Sequence, residues 1–103
     1  MDWEPYDPTW LVDLARESYP DEPWLAAALG RCTRAAHESR AYVHFVDPVN
    51  PNAPGSAWQF VENIVLEHPT EGDIILDILT ERRVGGAEFP SRLLEAGRGS
   101  DSS

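Results

Sequence analysis

Lysine is missing from this chain: all eight basic residues are arginine, against 18 acidic ones, for a formal charge of -10 over 103 residues. So little positive charge repels phosphate backbones, and this argues against nucleic acid or an anionic membrane as the main partner. A single cysteine, Cys32, allows no internal disulfide, and no apolar run approaches the ~20 residues that span a bilayer. The opening MDWEPYDPTW is acidic where a secretory signal is basic and then apolar, so a reducing cytoplasm is the expected address. Catalytic signatures are missing as well. There is no Gly-x-Gly-x-x-Gly, no Gly-Lys-Ser/Thr and no Gly-x-Ser-x-Gly, and His37, His44 and His68 share no metal-ligand spacing. Neither a cofactor nor a metal is expected, and the enzyme class is disfavoured.

What the chain has is apolar and aromatic surface. Hydrophobic residues make up 42% of it and aromatics 10%, with four Trp, which is enough for one folded domain and too short for two. The expected domain covers residues 1–96, with an extended acidic arm over 1–7 and a small, polar, disordered tail over 97–103.

Asp7 and Pro8 read as cap and first residue of a helix that buries Leu11, Leu14 and Ala15 and ends at Ser18-Tyr19-Pro20. Asp21-Glu22-Pro23 opens a second, Ala-rich helix running through to Ser39. Its buried stripe is Leu25, Ala28, Leu29, Cys32 and Ala36, and Arg34 and Glu38 form an i, i+4 pair on the other side. Cys32 on that stripe reads as a core residue rather than a nucleophile.

From Ala41 the period changes to two. AYVHFV is the first strand, and the proline-rich Asp47–Ala57 is a loop. Trp58–His68 is a second strand with a bulge near Glu62-Asn63. DIILDIL is the third and VGGAEFP the fourth, followed by a short helix that ends at Gly97. Helices first and strands afterwards give an α+β fold: two N-terminal helices on one face of a three- to four-stranded antiparallel meander, with a short C-terminal helix.

DIILDIL is apolar on both faces, so Asp77 needs a partner. Arg82, Arg83, Tyr42 and Trp58 are the available donors. Gly85-Gly86 provides a bulge or a positive φ, or lets Trp58 pack over the backbone. Asp77, Gly85, Gly86 and Glu88 are therefore read as the structural trim of a hairpin.

The runs AYVHFVDP, NIVLEHPTEGDIILDI and RRVGGAEF resemble a family of small bacterial domains of unknown function, in which a strand ending in Asp leads through a turn to a Gly-x-Glu strand. Asp77, Gly86 and Glu88 match those positions, over roughly the second half of the chain. Ala87 departs from the family's branched residue, and the proline loop and N-terminal helices are additions. In size, acidity and element order the chain is also similar to small immunity proteins of bacterial toxin systems, which implies a basic protein as partner.

The segment Asp2–Glu22 carries seven acids and one Arg and is the one stretch both acidic and aromatic. Asp2, Trp3, Glu4, Tyr6, Asp7 and Trp10 are accordingly the expected partner-binding residues. The function expected is that of a small acidic binding protein, an immunity-type inhibitor of a basic protein. Its alternatives are a bacterial domain with a regulatory or housekeeping role and, less favoured, a metal-dependent hydrolase using His44, Asp77 and Glu88.

Overall fold

The computed structural model describes residues 2–93, so the tail at 97–103 and the end of the expected C-terminal helix lie outside the described residues. Acid and proline open both helices, as their chemistry requires. In front of α1 (Thr9–Ser18), the Asp7 carboxylate accepts the Thr9 amide at 3.0 Å and the Thr9 hydroxyl at 2.6 Å, while the Pro8 carbonyl takes the Leu11 and Val12 amides. Those two bonds from Thr9 hold the Asp7 carboxyl below its usual range. α2 (Pro23–Gly30) has Pro23 in its first turn, where a missing N–H leaves nothing unpaired. Leu11, Leu14 and Ala15 from α1 meet Leu25, Ala28 and Leu29 from α2 in one core, where each fully buried leucine contributes about 1.5–3 kcal/mol.

The second helix stops at Gly30 rather than at Ser39. Residues Arg34–Ser39 instead form a strand, β2, which pairs with a two-residue strand, β1 (Glu4–Pro5). The expected Arg34–Glu38 helical pair therefore does not form. A strand covered on both sides buries neighbours of opposite parity, and here Ala35 and Ala36 are both fully buried. The remaining strands are β3 (Tyr42–His44), β4 (Phe60–His68), β5 (Gly72–Leu79) and β6 (Arg83–Glu88). Residues 90–93 begin a helix.

Six antiparallel strands thus replace the expected three or four, in the order β1-β2-β3-β6-β5-β4. This is not a plain meander. After β3 the chain crosses to the far edge and returns through β5 to place β6 beside β3, and the long proline-bearing loop provides the reach for that crossing. The loop is held by its own bonds: Ser56 Oγ donates to the Val49 carbonyl at 2.9 Å, and Asn52 accepts the Phe60 amide at 2.8 Å. The bulge expected near Glu62 is present between Phe60 and Glu62.

α1 lies against β4 and α2 against β6. Leu66, Ile74, Leu76, Ile78, Val43 and Ala87 fill the helix-facing side of the sheet. The chain's exit ties two turns together. Arg92 makes paired bonds to the Glu71 carboxylate at 3.0 and 2.7 Å and a third to the Arg40 carbonyl at 2.8 Å.

Candidate functional site

The side of the sheet away from the helices carries the chain's polar chemistry, and the register shows how. One row across it runs Asn63, Asp77, Gly86, His44, and the next runs Val65, Ile75, Glu88, Tyr42. Glu67 and Asp73 face each other beyond them. Because Gly86 has no side chain, the Tyr42 ring can lie over it and reach diagonally to Asp77. A Cβ at Gly86 would sit 2.7 Å from the Val43 carbonyl and 3.2 Å from the Tyr42 ring. The Tyr42 hydroxyl donates to Asp77 Oδ2, and Asn63 Nδ2 donates to Oδ1 at 2.8 Å.

Asp77 is therefore satisfied by Tyr42, one of its expected donors, and by Asn63, which sequence reasoning missed. Arg82 and Arg83 turn elsewhere. Arg82 lies over the Trp24 ring at 5.0 Å, and Arg83 donates to the Ala57 carbonyl at 2.7 Å. Burial, and secondarily the Glu88 charge on the neighbouring strand, push the Asp77 carboxyl up to about 6.

Gly85 is the extra residue at the register shift between Asp77 and Ile78. Trp58 and Leu79 occupy the space its side chain would need, each with an atom 2.8 Å from a Cβ built there. Of the expected roles for this glycine pair, the bulge and the overlying Trp58 are observed. Neither glycine has a positive φ. The Trp58 and His44 rings meet edge to face at 5.6 Å between centroids, and the Tyr42 ring tilts against His44 at 4.6 Å. His44 is 5% exposed, with Nε2 3.2 Å from Glu38 Oε1 and Nδ1 buried without a partner. A carboxylate only accepts, so Nε2 is the donor in that pair. His44 thus engages Glu38 and not Asp77 or Glu88, and among the described residues no three His, Cys, Asp or Glu side chains converge as a metal site. The Glu38–His44 pair was hidden from the sequence because Arg34–Ser39 reads as helix.

The arm is built into the body. Glu4 pairs with His37 at 3.2 Å, and the Tyr6 amide donates to the Thr33 carbonyl. Trp10 Nε1 donates to the Tyr6 hydroxyl at 3.1 Å, and the Tyr6 ring packs on Phe45 at 5.2 Å between centroids. Tyr6, Trp10, His68, Phe89 and Arg92 line a concavity of about 380 Å³. Trp3 is half-buried, and Asp2, Glu4 and Asp7 are exposed. Of the six arm residues, Glu4, Tyr6, Asp7 and Trp10 are thus tied to neighbouring groups of the chain. No described helix is long and apolar enough to cross a membrane. Comparison with protein-family models, with curated proteins and with solved structures gave no match.

Proposed function

We propose that this chain is a small acidic binding protein for a basic protein, of the kind an immunity-type inhibitor represents, and that the partner sits on the sheet face opposite the helices. One observation carries the reading: the register gathers Glu67, Asp73, Asp77 and Glu88 on the face opposite the described helices α1 and α2, with Val65, Ile75 and Tyr42 between them. Apolar and aromatic contacts ringed by carboxylates suit an arginine- or lysine-rich surface, through steering before contact and burial after it. The exposed carboxylates of Asp2, Glu4 and Asp7 add to the steering field. The aromatic rings of Tyr6 and Trp10 serve the protein's own packing first. A reducing cytoplasm is the compartment assigned, in keeping with a lone buried thiol.

Capture from a lysate of the native host, with salt as the variable, tests this. A basic protein is retained at low salt and released by about 0.5 M, where the Debye length is only a few Å. Replacing Glu67, Asp73 and Glu88 together by their amides abolishes capture, whereas neutralising Asp2, Glu4 and Asp7 slows association only. Equal capture by the face variant and the parent would overturn the proposal.

A further inference from the structure

We infer that β4 is the docking edge for an extended, basic segment of the partner, added to the sheet as a seventh strand; this rests on the basic-partner reading above. Among the described residues, β4 ends the strand order and pairs on one side only. At nine residues it is a long edge, where proteins commonly keep edges short or guarded by lysine and proline. Phe60, Val61 and Val65 on it are 42%, 54% and 40% exposed. The Tyr19 hydroxyl donates to the Val65 carbonyl at 2.8 Å, so that carbonyl points away from the β4–β5 ladder, with its second lone pair left for a further donor. Backbone groups alternate in direction along an antiparallel strand, so those of Asn63 and Glu67 face outward with Val65.

Charge selects the occupant. β4 and β5 carry Glu62, Glu67, Asp73 and Asp77 and no arginine. Beside the edge lies a groove of about 430 Å³ lined by Tyr19, Glu22, Trp24, Glu62, Asn63 and Ile64. A long cationic side chain from the added strand rests its stem on Tyr19 and Ile64 and sets its head between Glu22 and Glu62. A second copy of this chain would bring its own Glu62 and Glu67 and a charge of -10 against -10.

The probe is a blocked nine-residue peptide alternating Arg and Val, compared with the same peptide N-methylated at every second amide, which keeps charge and composition but removes one row of backbone donors. The plain peptide is expected to bind one to one and to protect β4 amides from hydrogen exchange. N-methylation weakens binding at least tenfold, Val65→Pro does the same, and Glu22→Gln with Glu62→Gln weakens it severalfold. If both peptides bind equally and protection falls around Tyr42 and Glu88, the edge inference fails and the basic-partner reading stands. If neither binds at low salt, both fail. A salt-stable dimer in sedimentation that Val65→Pro dissolves makes the occupant a second copy and overturns the inference.

Discussion

At Asp77 burial and hydrogen bonding oppose each other: two donors hold the carboxyl, while the protein around it and Glu88 beside it disfavour its charge. Folding raises its pKa from the ordinary 3.8 to about 6, so the folded state holds this proton more tightly than the unfolded chain does. The resulting stability is fully present below about pH 4 and is lost as pH rises through 6. Relative to Asp77→Asn, whose side chain does not titrate, the parent should therefore lose on the order of 1 to 2 kcal/mol between pH 4 and 7, allowing for the water that reaches this half-buried group. Paired thermal melts across that window check it, and a constant difference would refute it. Gly86→Ala should cost about 1–3 kcal/mol, because its methyl meets backbone at Val43 and the Tyr42 ring rather than a yielding side-chain tip. By parting Asp77 from Tyr42, a donor that favours its charged form, the same change should raise the Asp77 pKa further, which titration by NMR would show. That Asp77 needed a donor was legible from DIILDIL alone, and Tyr42 was among those available. The choice of Tyr42 over two nearby arginines was not, because it depends on β6 lying between β3 and β5.

Local propensity and tertiary covering compete in the elements, and β2 shows where covering wins. An Ala-rich run with apolar residues three and four apart reads as helix, and so it does as far as Gly30. Beyond it, Ala35 and Ala36 are small enough for a strand packed on both sides, where the two-residue alternation that marks a half-buried strand disappears. The two helix starts, β3 to β6 and the bulge in β4 were legible because prolines, glycines and alternation mark them locally. Strand order was not, since it is set by the reach of the 47–57 loop. The β5–β6 turn strains its residues: Glu81 and Arg82 both have positive φ, at 63° and 55°, in a region that favours Gly and Asn. Glu81→Asn should stabilise the fold by about 0.5 kcal/mol, and Arg82, which lies over Trp24, is better left in place. A denaturant midpoint that falls instead would show that the Glu81 side chain has a stabilising role of its own.

Among the described residues, two helices close one side of a six-stranded sheet, and Glu67, Asp73, Asp77 and Glu88 lie on the other. Cys32 sits at the seam, 6% exposed, its thiol directed at the Ala28 carbonyl and pushed by burial up to about 12. The thiolate is the species that alkylating agents attack, so the native protein should react with iodoacetamide at neutral pH orders of magnitude more slowly than the denatured chain. With no second cysteine to exchange with, each labelled molecule records one opening of the seam between α2 and β6. Reaction at the rate of global unfolding would mean that helices and sheet come apart together, and faster reaction would mean that α2 lifts by itself. The chain thus carries its own clock for unfolding, readable by mass in a cell extract without a tag or a dye.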